Sequence, residues 1–203
     1  MSEPIRPAAT VILWRDTPQG AQVLMGQRGS GAVFMPSKFV FPGGAVDPED
    51  MTAHTAMRQE PLPLSDLCRA RLDRDAPVPA AALVAAALRE LTEETGLSLR
   101  RDTPPLRLVF RAITPPGRPR RFDAFFFLAD AAGLEGDADD LSAASGELEF
   151  LRWLPLPEAR ALDLPFITEV VLAEVTALVT GGDQPGVPFF DNSGTTPQFR
   201  RLV

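Results

Sequence analysis

Residues 89–97 read Arg89-Glu90-Leu91-Thr92-Glu93-Glu94-Thr95-Gly96-Leu97. They close a helix predicted to begin near Ala81, and side chains three and four apart share a helix face. At about 100° per residue, Glu90, Glu93 and Glu94 fall within an arc of about 100°. Val84, Leu88, Leu91 and Thr95 occupy a different arc, suited to a core. Three carboxylates so placed repel one another, and each raises the others' proton affinity. A hard divalent cation relieves that repulsion, because Mg²⁺ prefers carboxylate oxygen and leaves positions for water and phosphate. Gly96 suits the left-handed residue that stops a helix. Glu-Glu pairs also sit on plain solvated faces, so the decision rests on the chain upstream.

That chain is Phe39-Val40-Phe41-Pro42-Gly43-Gly44-Ala45-Val46-Asp47, an apolar strand running into a Pro-Gly-Gly reversal. Paired glycines let backbone approach a ligand closely. Together the two stretches resemble the Nudix box: a glycine, an acid six positions on, then Arg-Glu-aliphatic-any-Glu-Glu-any-Gly-aliphatic. Gly44 is the glycine, Asp50 is the acid six positions later, and residues 89–97 match the second half at every specified position. Ala86-Ala87-Leu88 also looks like the family. Two departures stand out. The acid is aspartate where the box has glutamate. Asp50 and Arg89 are 39 positions apart, so about 31 residues are inserted inside the box. This is similar to a subgroup of Nudix enzymes with an interrupted box, which includes a peroxisomal coenzyme A diphosphatase and its bacterial relatives. Phe34-Met35-Pro36 and Arg120-Arg121-Phe122-Asp123 look like that subgroup too.

Periodicity supports a mixed α/β protein; the resemblance implies an α/β/α sandwich with a mixed sheet. It also implies that Glu90, Glu93 and Glu94, with the Gly43 carbonyl, hold Mg²⁺ or Mn²⁺. Arg89 would pair with a box glutamate and fix its rotamer. Asp50, one methylene shorter than glutamate, is expected to fall short of such a contact. Glu147 and Glu149 are candidates for a further metal ligand or the base that activates water. The implied reaction is hydrolysis of the pyrophosphate bond in a nucleoside diphosphate linked to another moiety. Coenzyme A or acyl-coenzyme A is the first substrate reading; ADP-ribose, NADH or a capped nucleotide stays open. A non-catalytic Nudix module that binds a nucleotide and regulates a partner is the alternative of a different class.

A chain of 203 residues reads as one domain with an insertion at about 51–80. Its 45% hydrophobic and 23% charged residues fit a soluble globular protein. A net charge of −7 argues against a general nucleic-acid or membrane-surface binder. The single cysteine, Cys68, excludes an internal disulfide and fits a reducing, cytoplasmic setting. No run of 18 apolar residues or secretory signal is read.

In chain order, residues 8–14 and 21–28 are strands of a hairpin. Arg28 reads as a solvated edge residue or as a phosphate contact. Gly29 to Gly31 is a flexible segment. In the insertion, Ser65 caps a short helix over 65–72, bounded by the prolines at 61, 63, 77 and 79. The insertion covers the site, makes a homodimer contact or decorates the rim; sequence leaves all three open. His54 is taken as a loop residue and Cys68 as a packed thiol. Residues 106–113 form a strand. The five arginines 107, 111, 118, 120 and 121, with no acid between 107 and 121, form a positive island. Arg118, Arg120 or Arg121 is expected either to hold a remote phosphate or to sit on a solvated hairpin. Residues 122–129 are a central strand, 130–146 an acidic loop, 147–154 a strand and 165–178 the final helix. The tail beyond Gly182 is expected only to pack on the domain or a partner.

Overall fold

The computed structural model describes residues 3–57, 62–100 and 105–203. Its centre is a long parallel pair. Strand β1 (Ile5–Arg15) runs beside β6 (Arg121–Asp130) from Ile5↔Arg121 to Trp14↔Asp130. The middles of both strands, Ala8–Leu13 except Thr10 and Ala124–Ala129, are apolar because both faces are covered there. Ala9, Val11 and Leu13 with Phe125 and Phe127 face one core; Ile12 with Phe126 and Leu128 face the other. Around the pair, β2 (Gln22–Arg28), β3 (Phe39–Val40), β5 (Arg107–Ile113), β8 (Val187–Asp191) and β9 (Gln198–Leu202) complete the order β3-β2-β1-β6-β5-β8-β9. Strand β4 (Gly43–Ala45) pairs with β1, and β7 (Leu148–Pro155) with β2.

Helices cover both faces. Helix α2 (Asp66–Asp75) and helix α3 (Ala80–Thr95) supply Cys68, Leu72, Leu83, Val84 and Leu91 to one core. Helices α4 (Leu156–Ala159) and α5 (Phe166–Val179) supply Ala159, Val171, Leu172 and Val175 to the other. The architecture is therefore the α/β/α sandwich with a mixed sheet. Each fully buried Leu or Val of α3 stabilises its docking by about 1.5–3 kcal/mol.

The insertion differs from expectation in one respect. Helix α1 (Pro48–Met57) precedes α2, so His54 lies in a helix rather than a loop. Ser65 caps α2 as read, accepting from the Cys68 amide at 3.2 Å, and Cys68 is a buried thiol. Pro61, expected to bound that helix, lies outside the described residues.

The tail also corrects its reading: it adds two strands, β8 parallel to β5 and β9 antiparallel to β8. Val187, Phe189 and Leu202 place it in the core. It was missed because five-residue strands carry too few alternations to announce themselves. Among the described residues no helix is long and apolar enough to cross a membrane.

Candidate functional site

Helix α3 ends at Gly96, whose φ of 76° turns the chain away while its amide caps the Thr92 carbonyl at 2.9 Å. Along the helix, Val84, Leu91 and Thr95 are buried as the helical wheel requires, and Leu88 is partly buried against the same core. The acidic arc faces the glycine bend. Glu94 is 2% exposed, and its Oε2 accepts the Gly43 amide proton at 2.7 Å. The Glu90 carboxylate lies flat against Gly44: a Cβ there would stand 2.1 Å from Glu90 Oε1, so only glycine admits this rotamer. The bend is held in place by β1, through Ala9↔Gly44 and Thr10↔Gly43.

The three glutamates are not one tight group. Glu93 turns aside, its side chain 58% exposed, and its Oε2 accepts from Arg89 Nη1 at 3.1 Å. Glu147, at the entry to β7, takes the third place electrostatically: its charge acts on both Glu90 and Glu94. Burial first, then the charges of Glu90 and Glu147, push Glu94 up to about 8, against the pull of the Gly43 amide and of Arg28. Glu90 is also raised, by burial first, with Arg89 opposing and Glu93 and Glu147 adding.

Arg89 binds no open space. Nε and Nη2 grip Asp50 at 3.2 and 2.9 Å, Nη2 also reaches the Ala45 carbonyl at 3.1 Å, and Nη1 holds Glu90 at 2.9 Å. The Asp50 bond, more than any other contact, raises the affinity of Arg89 for its proton. Asp50 thus makes the contact that its length was expected to deny it. The reason is position: α1 packs against α3 and brings the shorter side chain closer. Asp50 is buried and also accepts the Asp47 amide at 2.8 Å.

The arginine island disperses. Arg121 is buried on the carbonyls of Thr114, Asn192 and Ser193, so it is not available to a substrate. Arg111 is buried in a two-point pair with Asp123, at 2.8 and 2.7 Å, between the rings of Phe125 and Phe189. Its Nη1 also holds the Asp75 carbonyl at 2.8 Å, which ties the insertion to the sheet. Arg107 and Arg118 are exposed. Of the five, Arg120 lines a cavity of about 420 Å³ with Arg28, Gly31, Val33, Phe34 and Glu147. Arg28 Nη2 meets Glu147 Oε1 at 3.2 Å, while its Nε is buried without an acceptor. Glu149 sits opposite Gln27 on β7, exposed, with Oε1 beside Gly29.

Phe34 was not singled out by itself from sequence; an aromatic three residues beyond Gly31 was the available signal. Among the described residues no three acidic, histidine or cysteine side chains are grouped as a ready-made metal cage. Arg89 and the Gly43 amide hold the carboxylate oxygens instead. The donor chemistry nonetheless fits a hard cation, because Glu90 and Glu94 are carboxylates driven toward protonation by burial first and then by neighbouring carboxylates, Glu147 among them.

Residues 78–175 match the NUDIX domain. The match begins in the last residues of the insertion, so Gly43, Gly44 and Asp50 lie outside it in sequence, and the fold brings them against its helix. No curated protein matches the sequence. Among solved structures, the chain is 27% identical to a NUDIX hydrolase from Alicyclobacillus acidocaldarius, over 90% of this chain and 99% of that one, with a TM-score of 0.63. It shares the fold of the NUDIX domain of Shewanella oneidensis NrtR complexed with ADP ribose, at 16% identity, 87% and 90% coverage and a TM-score of 0.55. It also shares that of a C. elegans Ap4A hydrolase, at 17% identity, 87% and 99% coverage and a TM-score of 0.52. The matched segment is the NUDIX domain, and the fold is that of NUDIX hydrolase structures.

Proposed function

We propose that this chain, which carries a Nudix domain, hydrolyses the pyrophosphate bond of a nucleoside diphosphate linked to another moiety. Glu90 and Glu94 against the glycine bend, with Glu147 within electrostatic reach, are the observation that carries this reading. A divalent cation, Mg²⁺ or Mn²⁺, held there would neutralise diphosphate oxygens and acidify a bound water. Glu90, Glu94 and the Gly43 carbonyl are its proposed ligands, with Glu93 at the rim. So few protein donors leave positions for water and substrate oxygens, as Mg²⁺ sites usually do.

The chain's own work is positional. Arg89 sets the Glu90 and Glu93 rotamers from its anchor on Asp50. Water attacks one phosphorus, the bridging P–O bond breaks, and the two phosphate products separate. The charge of Glu147 acts on both Glu90 and Glu94, so it is assigned the water's proton; Glu149, further along β7, is the reserve.

For substrate, the interrupted box favours coenzyme A or acyl-coenzyme A over ADP-ribose or NADH, within the interrupted-box subgroup. Chromatographic assay of these four with Mg²⁺ and with Mn²⁺, and with Glu94→Gln as control, tests both levels. Metal-dependent turnover lost in the variant is expected. No turnover of any of the four would leave only nucleotide binding, the reading to which the NrtR domain lends its fold.

A further inference from the structure

Two glutamates, Glu147 and Glu149, stand at the entry to β7, and the strand is irregular just beyond them. We propose that the bulge at Phe150, seated on Gly26, gives the water's proton to Glu147 and turns Glu149 away. Phe150 and Gly26 are then positioning residues. This rests on the pyrophosphatase reading and adds how the chain chooses its proton acceptor.

Register comes first. Strands β2 and β7 pair regularly from Gln22↔Pro155 to Met25↔Arg152. Continued without a break, that register would set Arg28 opposite Glu149. Instead Gln27 faces Glu149 and Arg28 faces Leu148. Gly26 thus opposes two residues of β7, Phe150 and Leu151, and the strand bulges there.

Faces follow from register. Leu24 faces the core that α3 covers, so Gly26 and Arg28 lie on the same side of β2. Leu151 and Trp153 pack against that core from β7. Plain alternation back from Leu151 would aim Glu149 at the α3 side and Leu148 away from it. The bulge reverses this. Leu148 is buried beside Leu151 above Gly26, and Glu149 is left with Gln27 on the other face. Glu147, just ahead of the strand, then lies beside Arg28, with Oε1 3.2 Å from Nη2. From there its charge reaches Glu90 and Glu94. The unbroken register would carry Glu147 one residue, about 3.3 Å, farther along and put Glu149 in front of Arg28.

Two local features hold the bulge. Phe150 has a φ of 52°, a left-handed value unfavourable for a bulky residue. Its ring packs too little to offset that cost, being 65% exposed. Gly26 leaves the space that Leu148 needs: a Cβ there would stand 2.7 Å from Leu148 Cβ. Strain of this kind persists where the surrounding structure fixes it, and it gathers at functional sites.

Variants of the full chain test this, assayed with Mg²⁺ on the best-hydrolysed of the four substrates above. Phe150→Gly and Phe150→Val both remove the ring, but glycine accepts the left-handed backbone and a β-branched residue resists it. Phe150→Val is expected to show a kcat about tenfold or more below that of Phe150→Gly at similar KM, and a Tm lower by about 2–4 °C or more. In the native sequence Glu147→Gln should cost about tenfold or more in kcat beyond Glu149→Gln. Adding each to Phe150→Val should narrow or reverse that gap. Register is read without turnover, because directly opposed residues of antiparallel strands are close enough for a disulfide. Gln27→Cys with Glu149→Cys should cross-link on Phe150→Gly, and Arg28→Cys with Glu149→Cys on Phe150→Val. Should Phe150→Val fail to fold, Phe150→Ala takes its place. Equal kcat in Phe150→Gly and Phe150→Val, Glu149→Gln as damaging as Glu147→Gln, or one cross-link pattern in both chains overturns the assignment. The hydrolytic reading fails separately, by absent turnover or by turnover that survives Glu94→Gln.

Discussion

The acids of α3 and the arginines of 107–121 looked alike in the sequence: each was a run of one charge with a phosphate-related reading. They met different fates. Glu90 and Glu94 reach one bend, as their spacing required. The arginines part, Arg111 and Arg121 into the interior and Arg107, Arg118 and Arg120 to the surface. A helix repeats every 3.6 residues, so spacing decides which side chains share a face. The arginines span a strand, a turn and the start of the next strand. The register also shifts between Leu108 and Phe110, so Val109 and Phe110 both face the same core. A bulge of this kind changes which later residues point inward.

The sharpest break of the pairing is Arg111→Ala. It strands Asp123 in the core without its cation and is expected to lower stability by about 3–5 kcal/mol, read by urea denaturation. Near-normal kcat in the surviving folded fraction would complete the contrast with the acids. Glu94→Gln should do the reverse, cutting kcat by about 10²–10³-fold with the fold retained. Wild-type turnover in that variant would remove the glycine bend from the chemistry.

Asp50→Asn sits between these. It weakens the anchor of Arg89 and should lower metal affinity by about 10–100-fold, followed by Mn²⁺ titration. An unchanged titration would reduce Arg89 and Asp50 to a structural pair.

The smallest effect concerns pH. Glu94 is raised in the fold to about 8 from an ordinary 4.5, so the native state binds the extra proton between those values. Without metal, stability is fully present below about 4.5 and declines as pH rises through about 8. A divalent cation competes with that proton. Mg²⁺ should therefore raise Tm by about a few degrees more at pH 8.5 than at pH 6. Glu94→Gln should flatten the difference, and an equal shift at both pH values would contradict the burial account.

Much of the frame was readable in advance. The hairpin β1–β2, the central strand β6, helix α3 with its Gly96 stop and helix α5 all carry long apolar patterns or clear caps. Short elements were not readable: β8 and β9 are five residues each and are held by neighbours more than by propensity. In the site, the Glu90–Glu94 pairing with the bend and a glutamate partner for Arg89 were readable, whereas the grip of Arg89 on Asp50 and Ala45 and the carbonyl partners of Arg121 were not. A guanidinium on a long stem takes whichever acceptors the fold brings within reach.

The sequence by itself determined which residues lie on each face of α3 and where that helix stops, because backbone geometry ties those outcomes to local spacing. Only the tertiary structure decided that Asp50 returns across the insertion to Arg89. It alone turned Glu93 outward, brought Glu147 toward Glu90 and Glu94, and left Arg120 by itself among the five arginines at the cavity. Those contacts join segments far apart in the chain, and they form only where two buried faces of one sheet set the distances between them.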